Sequence, residues 1–253
     1  MSSDVAVTQD GPTTPSTGEV GAAGVAGQQG AGGEPGAALL EEIRAADERL
    51  GEAPAVEVMR WAAERFGEAL TVACSFQDAV LIDVAVAADP GIEFVFLDTG
   101  FHSPETLEFV ETCRQHFGMN IKVLHPGQDA DPWPCGSEKC CERRKVRPLD
   151  SHLAGRQAWV TGLKRVDSPT RADAPVVAWD GSRGLVKINP VVSWTEEDIS
   201  RYVAERRLPE HPLIAKGYLS IGCAPTTRPV TAGEDPRAGR WSGSEKTECG
   251  LHV

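Results

Sequence analysis

Apolar residues recur along this chain with two different periods, and the switches between them mark the elements. Leu39, Leu40, Ile43, Ala46 and Leu50 fall three and four apart, which predicts a helix over 37–50. Pro54, a residue suited to a first turn, opens a second helix through Val58, Trp61 and Phe66 to Gly67. Residues 70–74 form a short apolar run that fits a buried strand. Ser75-Phe76-Gln77-Asp78 reads as a turn, and 79–88 returns to helical spacing. The run 92–97 (IEFVFL) is the strongest strand pattern, and it ends in Asp98-Thr99-Gly100. Ser103-Pro104-Glu105 places a cap and then a proline at a helix start. Residues 120–124 read as the next strand.

The second half continues the pattern with a helix over 139–153 and a strand over 158–161. Residues 186–192 (VKINPVV) read as a strand that Pro190 would confine to a sheet edge. Thr195-Glu196-Glu197-Asp198 has the acidic chemistry of a helix N-terminus. Beyond Leu208 the chain is loop-like, and 231–244 is rich in Gly, Ser, Pro and charge. No internal repeat is present. Strands alternating with helices predict an α/β class: an open, mostly parallel twisted sheet with helices on both faces. Such sheets bind ligands beyond the carboxyl ends of their strands, where 75–78 and 98–102 lie. Free N–H groups at a following helix N-terminus suit phosphate. The first of these loops lacks the Gly-x-x-x-x-Gly-Lys spacing of a P-loop.

Residues 1–36 contain almost no large apolar side chain, so they cannot offset their ordering entropy and are expected to be disordered. The organisation expected is a disordered segment 1–36, an α/β domain 37–230 and a flexible tail 231–253. No run of 18 apolar residues occurs, and the start lacks a basic, then apolar, leader pattern. A cytoplasmic protein without membrane contact is therefore expected. A net charge of −12 argues against general nucleic-acid binding. Within that acidic chain, Lys139, Arg143, Arg144, Lys145 and Arg147 stand together, and Lys164, Arg165, Arg171, Arg228, Arg237 and Arg240 follow. Cations concentrated around unusual cysteines point to a small anionic substrate.

The chain has seven cysteines, an odd number that does not suit a disulfide framework. Cys74 and Cys113 fall in apolar patterns and are expected in the core. Cys140 and Cys141 are adjacent. Cys223 lies in Gly222-Cys223-Ala224-Pro225-Thr226, where a cysteine at 226 would complete a C-x-x-C pair. Cys249 sits in the last seven residues, beside Glu248 and near His252, behind the Gly-rich segment. A thiol on a swinging tail suits a nucleophile that meets a substrate and then a partner thiol. Gly233, Gly239 and Gly243 could form the hinge. Trp133 and Trp241 fit either a substrate site or the core.

In order, SFQDAVL (75–81), LDTG (97–100), CCERRKVRPL (140–149), TGLKRVDSPTR (161–171), INPVVSWTEEDI (188–199), GYLSIGCAPTTR (217–228), GRW (239–241) and KTECGLH (246–252) resemble the assimilatory sulfonucleotide reductases. The resemblance covers about residues 55–253. It implies an adenine nucleotide alpha hydrolase-like fold. It also implies reduction of adenylyl sulfate (APS) to sulfite and AMP in sulfate assimilation, with thioredoxin or a glutaredoxin-like protein as reductant. Cys249 would carry an S-sulfonate intermediate, and His252 would either tune it or be an exposed terminal histidine. By motif position, Lys145, Arg171, Arg237 and Arg240 would contact substrate. Ser75 would hold the adenosine phosphate, with Asp98, Thr99, Gly100 and Gly162 nearby.

The vicinal cysteines make the chain most similar to the APS branch, whose members carry a [4Fe–4S] cluster on a C-C and a C-x-x-C pair. Cys140, Cys141 and Cys223 match three ligands, and Thr226 stands at the fourth position. Three outcomes are open. A cluster could bind through three cysteines plus water or another residue such as Cys135; a [3Fe–4S] form could replace it; or it could be lost. Alternative functions are reduction of the 3′-phosphorylated substrate (PAPS), ATP-dependent adenylylation by a relative, and a non-catalytic cysteine-rich iron or redox sensor.

Overall fold

In a computed structural model, the structure describes residues 34–128, 133–241, 246, 250 and 251. Residues 1–33, most of the segment expected to be disordered, lie outside them.

Two helices open the described chain. α1 (Ala37–Leu50) buries Ile43, Ala46 and Leu50 of its expected apolar face but leaves Leu40 exposed, and α2 (Ala55–Phe66) buries Val58 and Phe66 as expected, together with Met59 and Ala62. The alternating part follows as β1 (Leu70–Cys74), α3 (Val80–Ala88), β2 (Phe94–Leu97), α4 (Pro104–Phe117) and β3 (Ile121–Leu124). Ser103 caps α4, its Oγ accepting from the Thr106 N–H at 3.2 Å, with Pro104 at the first position. The next helical run has three parts: α5 (Glu138–Cys141), a π-wound stretch Glu142–Val146, and α6 (Arg147–Leu153). Then come β4 (Ala158–Thr161), β5 (Val177–Asp180), β6 (Leu185–Ile188) and α7 (Glu196–Arg206). Thr195 and Asp198 form a reciprocal capping box at the start of α7.

The six strands lie in the order β3-β2-β1-β4-β6-β5. All neighbours are parallel except β5 and β6, which form a hairpin. The expected mostly parallel α/β sheet is therefore present. Alternate strand residues separate the two faces. Val72, Phe94, Phe96, Ala158 and Val160 join the larger core with α1–α4. Val95, Trp159 and Leu185 join a smaller core with Leu149 and Leu153 of α6. Helices thus cover both faces, unequally.

Two strand expectations are corrected. β6 ends at Ile188, before Pro190, and lies inside the sheet between β4 and β5. Pro190 removes no ladder bond, because the chain has already left the sheet: the Asn189 N–H reaches Val176 O and the Val192 N–H reaches Asn189 O. The edge strand is instead β5, whose Val177 N–H is taken up by Asp47 Oδ1 of α1 at 3.0 Å. Among the described residues no helix is long and apolar enough to cross a membrane.

Candidate active site

From β1 the chain steps outward to β2 and β3, then crosses to β4 on the other side of β1. The gap between β1 and β4 is therefore the point where the strand order reverses, and the loops leaving their carboxyl ends diverge there to leave a crevice. A cleft occupies that place. Its lining includes six of the expected substrate residues, Ser75, Lys145, Gly162, Arg171, Arg237 and Arg240, although they come from separate segments.

The β1–α3 loop makes its turn with Phe76 at φ 55, a left-handed conformation that costs free energy for a residue with a side chain. Burial of the Phe76 ring, edge-on to Phe96 at 5.3 Å, offsets that cost. Ser75 and Gln77 on either side then line the cleft, and Gln77 Oε1 accepts from the Ile221 N–H at 3.1 Å. Asp78 accepts from the Val80 N–H at the start of α3, and burial pushes its carboxyl above the usual range.

The cations reach the cleft from three places. Lys145 projects from the π-wound stretch. Arg171 is buried and donates to Asp167 Oδ2 at 3.0 Å. Arg240 donates to Ser220 Oγ at 3.3 Å and Ile221 O at 3.0 Å, with its guanidinium over the Trp241 ring at 4.6 Å. Arg237 lies over the same ring at 5.7 Å. Trp241 is thus a buried wall of the site, whereas Trp133 lies away from the cleft, under the Lys139 ammonium at 4.3 Å. With Lys164, which also lines it, five cations surround one cleft of an acidic chain and suit a compact polyanion such as a phosphosulfate.

Asp98, Thr99 and Gly100 do not line this cleft. Asp98 closes its own turn by accepting from the Gly100 N–H at 2.9 Å. Thr99 O accepts from Arg144 Nη1 at 2.9 Å, and Arg144 lies over Phe101 at 4.4 Å. The LDTG turn therefore braces the cysteine-bearing helix. Cys113 is a core residue as expected. Cys74 packs against the core but also lines the cleft, with its thiol pushed well up by burial and by Asp78.

A smaller cleft adjoins the first and shares Lys145, Arg240 and Trp241 with it. Cys140, Cys141, Cys223 and Thr226 line it. Ser137 caps α5 by accepting from the Cys140 N–H at 3.2 Å, which fixes where the vicinal pair begins. Thr99 Oγ1 contacts Cys223 Sγ at 3.5 Å, and Lys246 Nζ donates to Cys141 Sγ at 3.1 Å. Burial would raise the Cys223 thiol, but Lys145, Thr99, Cys135 and Arg240 outweigh it and hold the group below its ordinary value. Cys135 moves the other way, pushed up to about 12 by burial and then by Cys223 and Cys140.

Among the described residues no three His, Cys, Asp or Glu side chains converge as a single ion requires. An iron–sulfur cluster asks for something else, since its thiolates spread around several irons. Three buried thiols with Cys135 beside them, next to cations that can offset thiolate charge, fit that donor set.

Cys249 and His252 lie outside the described residues, as does Gly243. Their neighbours are placed. Leu251 packs against the smaller core and its carbonyl accepts from Arg183 Nη1 at 3.2 Å. Gly239 has a packing role rather than an open hinge position. Its carbonyl accepts from the Arg228 N–H at 3.0 Å, Thr227 and Arg240 form an antiparallel bridge, and a Cβ on Gly239 would overlap Arg228 O.

Two further cleft residues, Lys164 and His102, were not among the substrate contacts that motif position implied. Lys164 is buried, with Nζ 2.8 Å from Glu196 Oε1 and 3.6 Å from Asp167 Oδ1, and these partners raise it against the effect of burial. His102 has Nε2 at 2.9 Å from Leu97 O, and burial holds it below the usual imidazole range. A lysine in a basic loop and a histidine one residue beyond a turn are ordinary until the fold shows what they face.

Comparison with known proteins agrees with this geometry. The phosphoadenosine phosphosulfate reductase domain matches residues 69–229. The chain is 48% identical over 225 residues to an adenosine 5'-phosphosulfate reductase of Streptomyces coelicolor, covering 84% of this chain and 95% of that protein. It is 43% identical to the protein of that name from Mycolicibacterium smegmatis, over 81% of this chain and 90% of the relative. A crystal structure of phosphoadenylyl-sulfate reductase from Candida auris, in phosphate complex, superposes with a TM-score of 0.65 over 74% of this chain and 97% of that one, at 24% identity. With motifs, sheet order and cleft all in accord, the chain belongs to the phosphoadenosine phosphosulfate reductase family.

Proposed function

We propose that the protein reduces APS to sulfite and AMP in sulfate assimilation. The observation that carries this reading is the convergence of Lys145, Arg171, Arg237 and Arg240 on a cleft at the β1/β4 reversal point. The relatives' names supply APS as the substrate class. Ser75 and the β1–α3 loop hold the adenosine phosphate, as that position at a strand end and helix start favours. The arginines bind phosphate and sulfate oxygens in forked pairs, and Lys145 acts as a point charge between them.

The Cys249 thiolate attacks the sulfur. A Cys249 S–S bond forms, the S–O bond to AMP breaks, and AMP leaves with the electron pair. The clustered cations offset charge on the departing phosphate. A thioredoxin thiolate then attacks Cys249 Sγ, sulfite leaves with the bonding pair, and a second thioredoxin thiol resolves the mixed disulfide. The dithiol is oxidised to a disulfide while sulfate sulfur is reduced to sulfite. Cys140, Cys141 and Cys223 would hold an iron–sulfur cluster, which would place a compact redox-capable charge beside the cleft.

Sulfite release from APS and from PAPS, with reduced thioredoxin, tests this. Release from APS, much slower release from PAPS, and none from Cys249→Ser is the expected result. A preference for PAPS, or turnover by Cys249→Ser, would overturn it.

A further inference from the structure

We propose that Cys135 supplies the fourth thiolate of the iron–sulfur centre, in place of the side chain at 226. This rests on the cluster reading given above. Thr226 ends the short turn Ala224–Thr226 that follows Cys223, and its hydroxyl donates to Cys223 O at 3.3 Å. An alcohol keeps its proton at neutral pH and competes poorly for iron beside thiolates. The set Cys140, Cys141, Cys223 and Thr226 is therefore one good ligand short.

Cys135 reaches the same place from the segment that precedes α5. Its Sγ stands 4.0 Å from Thr226 Oγ1, next to the atom that a thiol at 226 would replace. Its chain neighbour Gly136 lines the smaller cleft together with Cys140, Cys141, Cys223 and Thr226. Folding thus brings Cys135 to the position of the missing ligand, although 91 positions separate it from Thr226.

The segment around it is built for this approach. Pro134 O accepts from both the Ser137 N–H at 3.2 Å and Ser137 Oγ at 2.9 Å, which closes a tight turn just before α5. Gly136 within that turn has φ +91, and a Cβ there would lie 2.8 Å from Thr226 Cγ2. Glycine at 136 therefore lets the turn close onto Thr226 and carry Cys135 with it. On loading, each thiol gives its proton to solvent and forms one Fe–S bond. Lys145, Arg240 and Lys246 stand where they offset the added negative charge.

Iron and acid-labile sulfide per chain, with the Mössbauer spectrum, decide the matter in full-length protein isolated anaerobically. The comparison needs the natural protein, Cys135→Ser, Thr226→Cys and the double variant Cys135→Ser/Thr226→Cys. A [4Fe–4S] centre requires about four irons in the natural protein. Cys135→Ser should lose at least three-quarters of the natural content, and the double variant should regain it, which a merely structural role for Cys135 would not produce. Unchanged iron and spectrum in Cys135→Ser would overturn the assignment. So would loss that Thr226→Cys fails to rescue, or iron bound by Thr226→Cys but not by the natural protein. Absence of iron from all four proteins would contradict the underlying cluster reading instead.

Discussion

Single side chains here do work that their identity alone does not disclose. His211 is fully buried, with Nε2 3.1 Å from Thr106 Oγ1 and Nδ1 accepting from the Leu213 N–H at 3.1 Å. Burial lowers it from the usual 6.5 to about 4. Above pH 6.5 the ring is neutral in both folded and unfolded chains, so stability does not depend on it. As pH falls from 6.5 towards 4 the unfolded chain takes up a proton that the folded chain refuses, and stability declines. The loss levels off below about 4 at about 3 kcal/mol. Urea midpoints measured across this window should fall more steeply for the natural protein than for His211→Gln; equal slopes would refute it. In sequence His211 was one of six histidines with nothing to mark it. Its burial comes from long-range packing against Phe109, ring centroids 5.0 Å apart, which no local pattern encodes.

Local pattern carried most elements because the apolar faces of α1, α2, β1 and β2 repeat at their own periods. It failed where tertiary pairing decides. β5 is only four residues and ends in Asp180, so it reads as a strand only when β6 pairs with it. Pro190 suggested an edge because the expected strand ran to 192, whereas the ladder stops two residues short of the proline. Between elements, two glycines act through close approach. A Cβ on Gly222 would overlap the Arg240 guanidinium. Gly222→Ala should displace that side chain and raise KM for APS about 10- to 100-fold, the range of a lost charged hydrogen bond, while the protein stays folded; an unchanged KM would refute it. At Gly239 the obstacle is the Arg228 backbone carbonyl, which cannot swing away. Gly239→Ala should therefore cost stability, about 1–3 kcal/mol as overpacking does, read as a lowered Tm. Packing of Leu251 against the smaller core anchors the chain two residues beyond Cys249. Leu251→Ala should slow S-sulfonate formation several-fold with APS affinity unchanged; equal loss in binding would contradict a positioning role.

At the scale of the whole molecule, a net charge of −12 surrounds a cleft lined by cations, so the site concentrates the field that the surface opposes. Its parts come from loops after β1 and β4, the π-wound stretch, and the segment through Arg240. Motif order identified most of them, since each short motif keeps its residues together whatever the fold. Motif order could not separate the residues that line the cleft from those that brace it. Asp98 and Gly100 proved to close the turn from which Thr99 O braces Arg144, and Cys135 came to Thr226 through folding rather than proximity in sequence. Cys249 is the proposed nucleophile towards APS. The most direct test is to incubate anaerobically isolated, reduced protein with APS in the absence of thioredoxin and weigh the C-terminal peptide by mass spectrometry. A single added sulfonate on Cys249 that thioredoxin then removes as sulfite is the predicted result. An unmodified Cys249 under conditions where sulfite is produced from APS would contradict it.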